Sequence, residues 1–385
     1  MDDPKLDQER ETMSVQVKEV TTTRGLKKFI RFPHSIPREN KAWVPALDFD
    51  EMNNLHWEKN SAFDHCQAHY YLAYEGDRIV GRVAAIYNKL HTETWGEDYL
   101  RFGWIDFIDD PDVVDALIGK VESWAAELGC TAVHGPLGFT DLDREGMLVE
   151  GFDELATLAT RHDPPYYHEH MERLGYGKAV DWYEHLVTLP DQLDEKIGRI
   201  AGLVKKRYKL QVFVAKNKNE LLKYAPELFE VINETYSHLY GVVHLTDKQR
   251  EAYVKQYFGF VIPDLVPIVL DENGKMVGFT IAMPSLSRAI QKARGQLFPF
   301  GFVHLLRALN KFDTIDTYLG AVVPRLQGRG VNALMMVSLF EACKKHGVKY
   351  VHANPQLESN QKVWSQWRYF DTRQHKRRRI FIKHF

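Results

Sequence analysis

Cysteine is scarce: Cys66, Cys130 and Cys343 stand far apart, and no Cys-x-x-Cys pair occurs. That excludes a disulfide framework and a thiolate zinc site, and a reducing, cytoplasmic setting is expected. Charge of one sign is also missing. Fifty Lys and Arg face 52 Asp and Glu, a net charge of −2, so no global field exists to hold DNA. Long apolar runs are absent. The best candidate, 297–309, contains Pro299, His304 and Arg307 and is too short to span a bilayer. It reads as a helix packed on its own domain, with a membrane-surface helix as the other reading. The first twelve residues are charged and polar and are not expected to act as a signal peptide.

What is present is a globular composition, 44% hydrophobic and 26% charged over 385 residues, which predicts two domains. Two segments read as hairpins. Tyr70-Tyr-Leu-Ala-Tyr, a Glu75-Gly-Asp-Arg turn and Ile79-Val-Gly-Arg-Val-Ala-Ala-Ile form one. Val266-Pro-Ile-Val-Leu, Asp271-Glu-Asn-Gly-Lys and Met276-Val-Gly-Phe-Thr-Ile-Ala form the other. After each comes a helix, a glycine stop and a strand. Asp110-Pro111 opens the first helix and Val114, Leu117, Val121, Trp124 and Leu128 give its apolar stripe; Gly129 ends it before Thr131-Ala-Val-His134. In the second, Leu334, Met335, Leu339, Ala342 and Cys343 precede Lys344-Lys-His, Gly347 and Lys349-Tyr-Val-His352. Each half is then expected to close with a helix and a strand: 166–174 with 180–189, and 360–369 with 377–385. A polar helical stretch near 190–198 joins them.

The same order of elements twice predicts a duplicated fold. The expected class is α/β (α+β), two domains each with a mixed, largely antiparallel sheet flanked by helices. Residues 13–190 form the first domain. Residues 199–385 form the second, with a helical insertion at 285–311 broken at Phe298-Pro-Phe-Gly301.

The chemistry is expected in Thr314-Ile-Asp-Thr-Tyr-Leu-Gly-Ala-Val-Val-Pro-Arg-Leu-Gln-Gly-Arg-Gly-Val-Asn-Ala-Leu. A strand runs through a short loop directly into an apolar helix. Gly328 and Gly330 let the backbone approach a ligand, the helix start offers unpaired N–H groups, and Arg325 and Arg329 add positive charge. There is no Gly-x-Gly-x-x-Gly and no terminal Gly-Lys-Ser/Thr, so Rossmann and Walker readings fail.

The strand, the Val-x-Pro-x-x-Gln-Gly-Arg-Gly-Val run and the helix resemble the pyrophosphate-binding motif of the GNAT superfamily of N-acetyltransferases, whose pattern is Gln/Arg-x-x-Gly-x-Gly/Ala. In one register Gln327 leads, Gly330 is central and Asn332 stands where Gly or Ala is usual; in the other, Arg325, Gly328 and Gly330 satisfy the pattern. The resemblance covers 266–385. The first half is similar only in element order, and the whole resembles uncharacterised bacterial proteins with two GNAT domains. It implies acetyl-CoA as co-substrate, bound by Ala321, Val322, Val323, Arg325, Gln327, Gly328, Arg329, Gly330, Val331, Asn332 and Asn360, and no metal. It implies an amine acceptor, of small-molecule or peptide type. A backbone N–H among 321–323 is expected to polarise the thioester carbonyl. Asp316, Tyr318, His352 and Glu358 are the catalytic candidates, with Glu234 a further possible base. Aligning Asn360-Gln-Lys-Val-Trp-Ser-Gln-Trp with the family's Asn-x-x-Ala-x-x-x-Tyr puts Trp367 where a tyrosine general acid is usual, and Tyr369 falls about 200° further round a helix.

In the matching place of the first half, Asp109, Asp110 and Asp112 would repel a diphosphate, so a single CoA site is expected, with the first domain structural or walling the substrate cleft. Two rival functions stay open: a Fem-type transferase using aminoacyl-tRNA, and a non-catalytic acyl-CoA-binding module. Lys205-Lys-Arg-Tyr-Lys209 and His375-Lys-Arg-Arg-Arg379 read as solvated surface, or as contacts to an anion such as the 3′-phosphate of CoA. His162, Asp163, His168 and His170 lack the spacing of a helical zinc site and read as a polar helix face.

Overall fold

The computed structural model describes residues 14–38, 41–360 and 367–385. The first half runs β1 (Gln16–Glu19), α1 (Thr23–Arg31), α2 (Asp48–Leu55), β2 (Cys66–Glu75), β3 (Arg78–Asn88), α3 (Lys89–Trp95), β4 (Tyr99–Phe107), α4 (Pro111–Leu128), β5 (Ala132–Gly135), β6 (Met147–Glu150), α5 (Tyr166–Arg173) and β7 (Gly177–Thr188). The second runs α6 (Glu195–Arg207), β8 (Gln211–Phe213), α7 (Lys218–Leu222), α8 (Ala225–Tyr236), α9 (Asp247–Tyr257), β9 (Ile268–Leu270), β10 (Met276–Pro284), α10 (Ser287–Ala293), α11 (Gly301–Asn310), β11 (Thr314–Val322), α12 (Val331–His346), β12 (Tyr350–Leu357) and β13 (Asp371–His384).

Local chemistry sets most of these limits. Asp110 caps α4, its carboxylate accepting from the Asp112 N–H at 2.9 Å, with Pro111 in the first turn. The buried positions of α4 (Val113, Val114, Leu117, Ile118, Val121, Trp124) form one face and cover β3 and β4. Most of β3 is buried, because α4 lies on one side and α1 on the other; its run from Val83 to Ile86 is correspondingly apolar, and the buried Arg82 pairs with Asp106 at 2.7 Å. The joining helix begins later than the sequence suggests. Asp194 caps α6 by accepting from Lys196 N–H at 2.8 Å, and Ile197, Ala201 and Val204 pack with Val331, Leu334 and Met335 of α12.

The two halves repeat one plan: a hairpin, an antiparallel third strand, a helix, and a strand returning parallel to the third. Their closing strands are exchanged. β7, from the first half, pairs with β12 of the second, and β13, from the end of the chain, lies between β5 and β7. One sheet of thirteen strands therefore runs β1-β2-β3-β4-β5-β13-β7-β12-β11-β10-β9-β8, with β6 on β13. The expected closing helix over 360–369 lies mainly outside the described residues; Trp367–Tyr369 is a single 3-10 turn. The last strand is longer than expected, 14 residues from Asp371.

That strand corrects the reading of the His375–Arg379 run as solvated. His375, Lys376 and Arg378 are buried, and Glu184 on β7 meets Lys376 at 2.7 Å and Arg378 at 2.5 Å. Asp181 takes Arg379 at 2.9 Å and Arg377 at 3.3 Å. The cations hold the exchanged strands together and are not an anion-binding face. The histidines near 162–170 have separate partners: His162 meets the Phe152 carbonyl and His170 meets Asp109.

Candidate active site

β11 leads through one turn at Pro324–Leu326 into the loop that starts α12. Gly328 and Gly330 have φ of 70° and 82°, the left-handed region that glycine enters without a Cβ penalty. Among the described residues no side chain caps α12 at Gly330; the Ala333 N–H bonds the Gly330 carbonyl at 3.0 Å, and the positive end of the helix dipole faces the loop side. A Cβ built on Gly328 meets nothing within 4 Å, whereas one on Gly330 comes to 3.1 Å from Val204 and 3.2 Å from Ile200 of α6. The loop is open at Gly328 and packed at Gly330. Such a surface fits a diphosphate.

Gln327 Nε2 donates to the Val322 carbonyl at 3.1 Å. The arginines turn outward instead. Arg325 lies 3.5 Å from Asp271, and Arg329 donates to the Arg325 carbonyl at 3.1 Å and packs against the Tyr208 ring.

Beside the loop the sheet opens. β11 and β12 pair in parallel only from Thr314 and Tyr350 to Thr317 and Ala353, beyond which β12 stays paired with β7 alone. A bulge leaves Tyr318 without a partner on β10, since Ile281 faces Leu319 and Ala282 faces Thr317. The N–H of Val323 is committed to the Val277 carbonyl at 3.0 Å, which removes it as a donor to a thioester. Strand alternation sends that of Ala321 to the same side and those of Gly320 and Val322 to the open side. Gly320 N–H meets the Tyr236 hydroxyl at 3.2 Å. Val322 is thus the one of the three whose N–H faces the opening.

The equivalent opening in the first half is filled by its own chain. β4 and β5 pair over Tyr99–Arg101 and Ala132–His134, after which Leu137 N–H bonds the Phe102 carbonyl at 2.8 Å. A Cβ at Gly103 would lie 2.3 Å from the Leu137 oxygen.

A cavity of about 880 Å³ occupies the opening and continues between the two halves. Of the expected cofactor residues, Ala321, Val322, Gln327, Gly328, Gly330, Val331, Asn332 and Asn360 line it, while Val323, Arg325 and Arg329 do not. Of the catalytic candidates, Tyr318 alone lines it. Asp316 stands directly behind, 3.4 Å from the Tyr318 hydroxyl; burial pushes its carboxyl up to about 7, against a Ser285 hydrogen bond and Lys376. Burial and the Asp316 charge hold the Tyr318 phenol well above its usual range. His352 is half-buried beside His375, ring centroids 5.5 Å apart, and desolvation with the nearby Lys376 lowers it to about 4. Glu358 is away from the cavity, taking Lys178 at 2.6 Å and the Asp181 N–H at 3.2 Å.

Sequence reasoning missed the acidic wall opposite. Asp50 and Glu51 of α2 and Asp141, Asp143 and Glu145 of the loop after β5 line the cavity from the first half. Burial pushes four of these carboxyls up: Asp50 to about 6, Asp141 to about 6, Asp143 to about 7, Glu145 well above its usual value. Asp143 accepts from the Phe139 and Thr140 N–H groups at 2.8 and 3.1 Å, and Glu51 accepts from Trp104 Nε1 at 2.7 Å. Asp141 takes a hydrogen bond from its own backbone N–H. The signal was an acid-rich stretch between Gly138 and Gly146, following β5 where the second half has its cleft.

No family model matches the chain. It is 31% identical over 284 residues to Protein YghO of Escherichia coli (strain K12), covering 73% of this chain and 71% of that one. It is 29% identical over 293 residues to a bacterial ceramide synthase of Caulobacter vibrioides (strain NA1000 / CB15N), covering 74% of each. Among solved structures, a tandem GNAT protein from the clavulanic acid biosynthesis pathway superposes with a TM-score of 0.53 at 10% identity, over 96% of this chain and 98% of that one. A GCN5-related glucosamine N-acetyltransferase region of a fungal multi-domain β-N-acetylglucosaminidase gives 0.56 at 13% identity, over 97% of this chain and 38% of that one. By its identity to YghO over most of both chains the protein belongs to the YghO family, and its architecture is that of the tandem GNAT superfamily.

Proposed function

We propose that the chain is an N-acyltransferase that moves an acyl group from acyl-CoA to an amine carried on an apolar molecule. The observation that carries this reading is that the motif loop and the acidic wall border one cavity. The loop backbone at Gly328 and the start of α12 would hold the diphosphate. Val322 N–H would donate to the thioester oxygen as it gains charge. Asp141 would take a proton from the amine, whose nitrogen then attacks the thioester carbon. An amide bond forms, the C–S bond breaks, and Tyr318 would give its hydroxyl proton to the leaving thiolate and regain one from solvent, while Asp141 releases to solvent the proton it took.

The apolar character of the substrates rests on two supports. Leu228, Phe229, Val242, Val254, Phe258 and Met336 make much of the cavity wall hydrocarbon. The ceramide synthase relative is named for making an amide of a long-chain amino alcohol and a fatty acid. An acyl group longer than the acetyl expected from the motif fits both.

The test is a matrix of acetyl-, octanoyl- and palmitoyl-CoA against short polyamines and a long-chain amino alcohol. Thiol release is read first and the amide is identified by mass. Amine-dependent release, greatest with long acyl chains, supports the reading. Indifference to every acyl-CoA, with no ligand-induced rise in melting temperature, sinks it.

A further inference from the structure

The insertion between β10 and β11 has a composition unlike the rest of the chain. Residues 285–311 hold Arg288, Lys292, Arg294, Arg307 and Lys311 and no Asp or Glu, in a protein whose net charge is −2. Its inner face is fixed. Ala289, Ile290, Ala293 and Leu305 pack on Val44, Leu47 and Leu158 of the first half. Gln291 Nε2 donates to the Lys41 and Trp43 carbonyls at 2.8 and 2.7 Å, and Asp48 N–H bonds Gly295 O at 2.9 Å.

The outer face is apolar and open. Phe298 is 79% exposed, Phe300 74%, Leu306 52% and Phe302 41%. Phe49, next to the Asp48 tied to Gly295, is 59% exposed. Three phenylalanines close together in one turn, in a segment with cations and no carboxylate, are costly to leave in water. Asp48, which adjoins the hairpin at Gly295, is paired with Arg31 at 2.8 Å.

We infer that the 285–311 hairpin docks on an anionic phospholipid surface, its phenylalanines entering the acyl boundary while its cations meet the headgroups. Rings supply the insertion and Lys and Arg supply the attraction. Charge complementarity decides for an anionic bilayer over a protein partner: the patch offers cations only. The location is apt as well. Leu47 and Leu158 belong both to the cluster under the hairpin and to the cavity wall, so the hairpin adjoins the cavity through its inner face.

The experiment is co-sedimentation of the full chain, without acyl-CoA, with phosphatidylcholine vesicles and with vesicles containing roughly one-third phosphatidylglycerol. The wild type should pellet with the anionic vesicles, weakly with the neutral ones, and less as salt rises. The triple variant Phe298→Ser, Phe300→Ser, Phe302→Ser should lose roughly tenfold or more in partitioning. Its melting temperature should match the wild type, since these rings are exposed. Lys292→Glu with Arg307→Glu should remove the preference for anionic lipid. A wild type that stays in the supernatant overturns the inference, as does a triple variant that binds equally. A wild-type dimer made monomeric by the triple substitution assigns the patch to a second copy and also overturns it. Because no acyl-CoA is present, these outcomes are separate from the fate of the acyl-transfer reading.

Discussion

Gln327 Nε2 donates to the carbonyl of Val322 at 3.1 Å, fastening the residue that leads the loop to the strand that feeds it. The bond lies on the open edge of β11, the edge that carries the Val322 N–H. Loop and strand therefore keep their spacing before any ligand arrives.

Gly328 offers the cleanest test of this loop. An added Cβ there meets open space, so the cost of Gly328→Asp is confined to its φ of 70°, about 1 kcal/mol for a residue that tolerates the left-handed region. The new carboxylate would stand where a diphosphate is proposed to lie. Acyl-CoA at about a hundred times its dissociation constant should stabilise the wild type by roughly 2.7 kcal/mol. In Gly328→Asp that rise in melting temperature should vanish while the fold persists. An undiminished rise would place the ligand elsewhere. Gly330 is a poorer choice, because any side chain there also meets Ile200 and Val204.

Asp141 should set the acid limb of the pH profile. Burial raises its carboxyl to about 6, and the base form is the active one, so kcat/KM should fall as pH drops through about 6. Asp141→Asn should lower kcat by about 10² to 10⁴ and abolish that limb, with little change in KM for acyl-CoA. An unchanged limb in the variant would move the role of base to another residue of the acidic wall.

The elements were readable from sequence wherever the physics is local. The Asp110 cap, the stop at Gly129 and the strand–glycine–helix junction at 328–330 each depend on a few adjacent residues, and each stands where the sequence puts it. The loop half of the site was legible for that reason. The acidic wall was not, because Asp141 and Tyr318 come to line one cavity only through the packing of the two halves. The exchange of β7 and β13 was hidden too. Its ion pair joins Glu184 to Arg378, 194 residues apart, and alternating charges on a strand look solvated until the partner strand is known.

Tyr318 and Asp316 should separate binding from chemistry. Tyr318→Phe keeps the ring on the cavity wall and removes the proton that could reach a thiolate. Acyl-CoA should bind as before, judged by thermal shift, while kcat falls by about 10² or more. Asp316→Asn should have a smaller effect, since Asp316 acts through the Tyr318 hydroxyl at 3.4 Å. Equal kcat in wild type and Tyr318→Phe would leave the leaving thiolate to be protonated by water.

Glu184 should govern acid stability. Burial pushes its carboxyl up, but Arg378 and Lys376 outweigh burial and hold it at about 2 against an ordinary 4.5. A carboxyl depressed on folding adds stability that is present above 4.5 and is lost as pH falls towards 2. Urea unfolding should therefore weaken across that window. Glu184→Gln strands two buried cations between the exchanged strands and should cost about 3–5 kcal/mol at neutral pH. It should also flatten the acid dependence. Replacing Glu184, Lys376 and Arg378 together by Leu, Met and Met should recover most of the loss, because an apolar trio of similar volume leaves no charge unpaired. A Glu184→Gln protein as stable as the wild type would show that the exchanged strands are held by backbone pairing and the apolar core alone.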